Sequence, residues 1–353
     1  MGETTGCAGG LELARFEGAP HHLLDIEARD LWQHLPGPSL FDIPGRDPQP
    51  LFLSVLLHGN EDTGWSAVQK VLKRHGDAPL PRRMLLLVGN IEAAKANVRT
   101  LDNQTDYNRA WPGTRYPEAK EAALMRHVVD LVSAEKPFAS IDIHNNTGNN
   151  PHYGCVNVLD ERHLHLARLF SRTVVYFTRP VGVQSSAMAA VCPAVTVECG
   201  LPGTPTATDH AAEFVEAALA LDHFPDHPVP DHDLDLLRTA VILRVPPDAS
   251  FSYDGSDADF RFVPELDRLN FSELAPGTKL GSLGNSGDRR LAVIAGGEMD
   301  ANVEDYIAYD ESGGINLARP AIPAMLTLDP RAVRLDCLGY LMHRIDRQGR
   351  PVD

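Results

Sequence analysis

Leu51-Phe52-Leu53-Ser54-Val55-Leu56-Leu57 runs directly into His58-Gly59-Asn60-Glu61. An uninterrupted apolar run of this length, cut off by Gly and Asn, has the pattern of a strand buried on both faces, as in a parallel sheet. A histidine and a carboxylate three residues apart at the exit of such a strand are two potential ligands on a rigid support. Gly59 lets the backbone turn tightly between them, so both side chains can face one point. Together they are a candidate half of a zinc site, to be completed or not by what the rest of the chain supplies.

Outward from this stretch the pattern repeats. Thr63 to His75 carries Trp65, Val68, Val71 and Leu72 at helical spacing, and Met84 to Val88 is a second buried strand ended by Gly89-Asn90. Strand, helix, strand is the opening of a parallel α/β sheet. Residues 97 to 116 form a long polar loop around Trp111, Pro117 to Lys136 an amphipathic helix, and Ala139 to Ile143 a third strand ending at His144. Shorter strands are predicted at Cys155–Leu159, Thr173–Phe177 and Ala194–Val197, and helices at Arg162–Ser171 and Asp209–Leu221. Residues 1 to 48 are interrupted by Gly and Pro, with one short helix predicted around Leu24–His34.

Asp222 to Asp235 (DHFPDHPVPDHDLD) is a connector stiffened by proline and rich in charge,. Beyond it, short β-type segments at 240–245, 279–283, 291–294, 324–328 and 333–341 predict a mostly β second domain,. The predicted architecture is α/β. A mixed, largely parallel sheet flanked by helices occupies residues 1–225, a linker 226–235, and a smaller, mostly β C-terminal domain 236–353.

The net charge of −16 argues against nucleic acid or an anionic membrane as partner, though a locally basic site can still take a small anion,. Five cysteines without a C-x-x-C spacing suggest neither a disulfide framework nor a cysteine zinc cluster,. With no signal-peptide pattern and no apolar run of the ~20 residues a membrane helix needs, the expected location is cytoplasmic. The sequence does not decide between a monomer and a homo-oligomer.

A catalytic zinc typically has three protein ligands. The third candidate is His144, again the first residue past a buried strand, and in open α/β sheets sites form beyond the carboxyl ends of strands. Asp142 shares a strand face with His144 and is placed to hold the second nitrogen of a ligand imidazole. Glu198 closes the strand Pro193-Ala194-Val195-Thr196-Val197 and is costly to bury without a task or a partner,. Beside a metal it can act as general base and acid; away from one it is a salt-bridge residue. Arg99, Asn108 and Arg109 on the polar loop are suited to capturing a carboxylate. His210-Ala211-Ala212-Glu213 repeats the H-x-x-E spacing inside a helix with no turn residue, and reads as an ordinary solvated helix face,.

HGNE at 58–61, Asn108-Arg109, the D-x-H of Asp142-Ile143-His144, and VECG at Glu198 occur in the order seen in the zinc carboxypeptidase superfamily. Within it the chain most resembles the aspartoacylase and succinylglutamate desuccinylase branch, over roughly residues 50 to 220 and loosely into the β domain. The resemblance implies one Zn2+ per chain on His58, Glu61 and His144, with Glu198 as general acid/base. It also implies substrate contacts from Arg99, Asn108 and Arg109, and an outer-shell role for Asp142. Tyr309 is the counterpart proposed for a tyrosine that closes the aspartoacylase site; a core tyrosine of the β domain is the alternative. The aspartoacylase arginine about ten residues before the catalytic glutamate is replaced here by Ser185-Ser186-Ala187-Met188-Ala189. The implied activity is zinc-dependent cleavage of the amide bond of a small, anionic N-acylated amino acid carrying a carboxylate. The rival readings are a metallocarboxypeptidase acting on peptides and a non-catalytic binder that retains the fold.

Overall fold

The computed structural model describes residues 3–6, 11–284, 289–295 and 303–352; Cys7 lies outside them. The chain forms two compact units. The first comprises Met1–Asn145, His152–Val174 and Pro180–Asp235, and the second Asn146–Pro151, Val175–Arg179 and Leu236–Asp353.

In the first unit the strands are β1 (Glu3–Gly6), β2 (Glu12–Glu17), β3 (Ser39–Ile43), β4 (Gly45–Val55), β5 (Leu80–Val88), β6 (Ala139–His144), β7 (Tyr153–Val156), β8 (Thr173–Tyr176) and β9 (Ala194–Glu198). The helices are α1 (Thr63–His75), α2 (Ile91–Lys95), α3 (Lys120–Ala134), α4 (Glu161–Phe170), α5 (Gln184–Met188) and α6 (Pro205–Ala220). The sheet runs β1-β2-β3-β5-β4-β6-β9-β7. Its centre, β5-β4-β6-β9, is parallel, while β3 on one side and β7 on the other pair antiparallel. The expected mixed, largely parallel α/β sheet is what the chain builds.

Residues in register across a sheet project from the same face. Ser54, Asp142 and Thr196 form one such row, and His144 and Glu198 form the next. That face also carries Phe52 and Ala194, which join the core under α3 and α5 with Leu124, Met125, Val128 and Met188. The opposite face carries Val55 and Ile143 and is covered by α1, with α6 and α4 beside it. Gly64 lets α1 approach closely, because a Cβ there would lie 2.9 Å from Val55 Cγ1 and 3.1 Å from Ile143 Cβ. α1 buries Trp65, Val68, Val71 and Leu72, ends on Lys73, Arg74 and His75, which complement the helix dipole, and stops at Gly76 with φ 56°,.

Several boundaries differ from the sequence reading. The strand predicted to reach Leu57 stops at Val55, because Leu56 turns into the left-handed region at φ 57°. Such a backbone costs a buried leucine about 1–2 kcal/mol. Asn90 N–H donates to its carbonyl at 2.6 Å, holding the turn that directs the chain into His58. α3 begins at Lys120 rather than Pro117, and α6 begins earlier, with Pro205 in its first turn. The short helix α5 and the strands β2 and β3 are additions to the sequence reading. No described helix is long and apolar enough to cross a membrane.

The second unit contains β10 (Asp235–Arg244), β11 (Phe251–Ser252), β12 (Phe260–Phe262), β13 (Lys279–Leu283), β14 (Ala292–Ala295), β15 (Ile307–Tyr309), β16 (Gly314–Leu317), β17 (Ile322–Ala324), α7 (Pro330–Leu335) and β18 (Gly339–Arg344). β10 pairs with β14 and β18, β17 pairs with β18, and β11-β12-β13-β16-β15 form a separate sheet. Phe260, Phe262, Leu280, Ile315 and Leu341 lie in its core. The segment predicted as one strand from Val333 to Leu341 is two elements. Asp329 caps α7 by accepting from Arg331 N and Ala332 N, and the strand starts only at Gly339.

Candidate metal centre

His58 and Glu61, on the loop after β4, converge with His144, the last residue of β6. One ligand atom from each lies within 4.8 Å of the others, and all three residues are buried. His58 Nδ1 is 2.7 Å from Glu61 Oε1, His144 Nδ1 is 2.7 Å from Glu61 Oε2, and the two Nδ1 atoms are 3.1 Å apart. Gly59 serves the loop by space. A Cβ there would lie 2.1 Å from Ala93 C and Ala94 N, so the loop packs directly on the backbone of α2.

The remote nitrogen of each imidazole faces a carboxylate. His144 Nε2 is 2.7 Å from Asp142 Oδ2, and His58 Nε2 is 3.1 Å from Asp106 Oδ1. Carboxylates only accept, so both Nε2 atoms direct protons at Asp142 and Asp106, and both Nδ1 atoms face inward as ligand atoms once any proton on them is given up,. Two imidazole nitrogens and a carboxylate then meet in a buried space, with Asn145 N–H donating to Glu61 Oε2 at 3.0 Å. A cation is what this donor set requires. The separations of 2.7–3.1 Å sit roughly 0.2–0.6 Å inside the ~3.3 Å edge of a tetrahedron with ~2.0 Å metal bonds,. The residues fit zinc.

The electrostatics agree. Burial alone raises the Glu61 pKa, but the facing His58 and His144 outweigh it and hold the carboxyl well below its usual range. Burial opposes charge on His144, yet Asp142 and Glu61 on its two sides prevail and raise its pKa well above 6.5. Asp106 is opposed by burial and held well below the usual carboxylate range by Arg99, His58 and Arg109.

Asp106 is the residue the sequence reading missed. Besides facing His58, its Oδ1 accepts from Asn108 N at 2.7 Å and its Oδ2 from Arg99 Nε at 2.9 Å. The signal was available: two candidate histidine ligands each need a carboxylate partner, only Asp142 had been paired, and Asp106 stands two residues before Asn108.

The other predicted residues fall as follows. Arg99 donates to Asp106, with its Nη1 4.0 Å from Glu61 Oε1. Asn108 is buried; Gln184 N–H donates to its Oδ1 at 2.9 Å, and its Nδ2 lies 3.0 Å from His144 Nε2, two donors side by side with the imidazole proton directed at Asp142. The backbone of Arg109 is pinned, its carbonyl accepting from Thr114 Oγ1 at 2.6 Å, and Gly182 packs so closely that a Cβ there would lie 2.6 Å from that oxygen. Glu198 is half-buried at the end of β9 and in register with His144, so their backbones are one strand spacing apart, ~4.8 Å,. In the second unit, Tyr309 packs against the core, accepts from Leu291 N–H at 2.9 Å, and lies under the Arg290 guanidinium. His210 is half-buried, unlike the solvated face expected of it: its ring donates to the Phe170 carbonyl at 2.8 Å and stacks on His152.

Cys155, Cys192, Cys199 and Cys337 are buried and form no disulfide. Burial, reinforced by the Glu198 charge, pushes the Cys155 and Cys199 thiols well up, which makes them poor nucleophiles at neutral pH,.

Two histidines and one carboxylate at the strand ends of an α/β sheet make a candidate metal site. The model of the succinylglutamate desuccinylase/aspartoacylase catalytic domain matches residues 49–222, and that domain of the chain belongs to the family. Among solved structures, a succinylglutamate desuccinylase/aspartoacylase from Rhodobacter sphaeroides is similar with a TM-score of 0.60 at 14% identity, covering 87% of this chain and 89% of that one. Murine aminoacylase 3 is similar with a TM-score of 0.53 at 15% identity, covering 85% and 96%. The succinylglutamate desuccinylase of Chromobacterium violaceum is similar with a TM-score of 0.52 at 18% identity, covering 78% and 86%. At these identities the likeness is one of fold. No curated protein sequence matches the chain.

Proposed function

We propose that this protein is a zinc-dependent amidohydrolase that cleaves the acyl–nitrogen bond of a small N-acylated amino acid. The observation that carries the reading is the buried convergence of His58, Glu61 and His144, with a carboxylate behind each imidazole. Membership of the family, and the names aminoacylase and succinylglutamate desuccinylase among similar structures, point to the substrate class.

Zinc held by these three residues supplies Lewis-acid polarisation of the scissile carbonyl and acidifies water toward a pKa of ~7. Glu198, half-buried beside His144, takes the proton from the attacking water and returns it to the leaving amine,. Asp142 and Asp106 hold the imidazoles in the tautomer that presents Nδ1,. Arg109, on a backbone pinned by Thr114 and Gly182, takes the substrate carboxylate and brings attack close to an intramolecular reaction,. Asn108 offers its amino group beside His144, while Arg99 divides its charge between Asp106 and Glu61.

The test is the Glu198→Gln variant on a panel of N-acetyl and N-succinyl amino acids, acidic and neutral, with C-terminally free peptides included. Retained zinc with turnover lost by orders of magnitude supports the assignment. Unchanged turnover overturns it, and turnover of peptides alone moves the protein to the carboxypeptidases.

A further inference from the structure

We propose that Ser54 is a positioning residue for the metal centre, acting through Asp142 on His144. The proposal rests on the zinc reading above. Ser54 is the last residue but one of β4, among Leu51, Phe52, Leu53 and Val55, and like them it is fully buried. A hydroxyl there is costly unless it has a partner. Its partner is Asp142: Ser54 Oγ donates to Asp142 Oδ1 at 2.6 Å, a length typical of a hydroxyl on a charged carboxylate,. The Ile141 carbonyl at 3.5 Å is a much weaker second acceptor.

The other Asp142 oxygen lies 2.7 Å from His144 Nε2. Ser54, Asp142 and His144 therefore form a chain across two neighbouring strands, set by the parallel register that places Ser54 opposite Asp142. The terminal torsion of an aspartate is broad, so one contact leaves the carboxylate plane free to rotate. Two contacts on opposite oxygens fix it. Ser54 thus holds Oδ2 toward the imidazole, and the imidazole in turn holds Nδ1 toward Glu61, in a site whose ligand distances must be right to about 0.2 Å. Asp142 is fully buried, so water does not readily replace the hydroxyl.

Threonine and valine separate the hydroxyl from volume, since they share a shape and differ in that group. Ser54→Val is expected to weaken zinc affinity about tenfold, the lower end of the range for partners outside the ligand shell. It should also alter the visible absorption of the cobalt-substituted protein, while Ser54→Thr restores both. Ser54→Ala adds no atoms and keeps the test valid if the branched pair is too large for the strand. It too should lose about tenfold in affinity. Wild-type affinity and cobalt spectrum in Ser54→Val or Ser54→Ala, with zinc bound by the wild type, overturn the role of Ser54 and leave the zinc reading standing. A wild type that binds no zinc overturns both.

Discussion

Replacing Asp106 by asparagine tests the outer frame of the site. Asp106 Oδ1 faces His58 Nε2 at 3.1 Å and accepts from Asn108 N at 2.7 Å, while Oδ2 accepts from Arg99 Nε at 2.9 Å. The amide keeps one acceptor, which can serve His58 and Asn108. Its amino group then faces Arg99 Nε, donor against donor, and the charge supporting the His58 proton is gone. One charge-assisted hydrogen bond is worth about 1.5–3 kcal/mol, and outer-shell substitutions cost about 10–100-fold in metal affinity, roughly 1.4–2.7 kcal/mol. The two scales agree, so Asp106→Asn should raise the zinc dissociation constant about 10–100-fold, measured by competition with a chromogenic chelator. Asp106→Ala strands three donors and should cost more. A folded Asp106→Asn protein with zinc affinity within threefold of wild type would refute the claim that Asp106 holds His58.

Further expectations follow from the same geometry. Gly59→Ala drives a Cβ into the α2 backbone and should cost about 1–3 kcal/mol of stability together with zinc binding,. Gly76→Ala, where φ is 56° and nothing lies within 4 Å, should cost about 1–2 kcal/mol and leave zinc affinity unchanged; thermal melts with and without zinc distinguish the two,. The pH dependence has a definite sign. The metal-free His144 has a raised pKa, so its proton stabilises the metal-free fold fully below 6.5 and that contribution fades as pH rises through the higher folded value,. Zinc must displace this proton. Its affinity should therefore climb about tenfold per pH unit through neutrality, with proton release visible as buffer-dependent heat in calorimetry; a flat profile contradicts the assignment. Glu61 and Asp106, with lowered pKa values, stabilise the fold above the usual carboxylate range and lose that contribution only as pH falls through their folded values,. His210→Ala should leave metal content untouched, since that ring is engaged with Phe170 and His152.

Much of the fold was legible because buried parallel strands write themselves as apolar runs. Leu51 to Val55, Met84 to Val88 and Ala139 to Ile143 all lie in central strands. The ligands could be read because each leaves such a strand or the turn just after it. Harder to see was anything set by approach rather than composition. Gly59 looked like a residue chosen for backbone freedom, but its reason is the proximity of Ala93 and Ala94, which no local pattern encodes. Leu56 takes a left-handed turn against its own preference, so an apolar run overstates the strand. α5 is a five-residue helix, too short for periodicity to show. Asp106 lay in a polar loop where any of several side chains could have been solvated, and its role emerges only when the loop folds back onto His58.

The most direct measurement is the metal content of the protein as purified under mild conditions, beside Glu61→Gln and His144→Ala. The account predicts one zinc per wild-type chain, and loss of stoichiometric zinc in both variants. A wild type without stoichiometric zinc, or variants that keep it, would contradict the assignment of His58, Glu61 and His144 as the metal site.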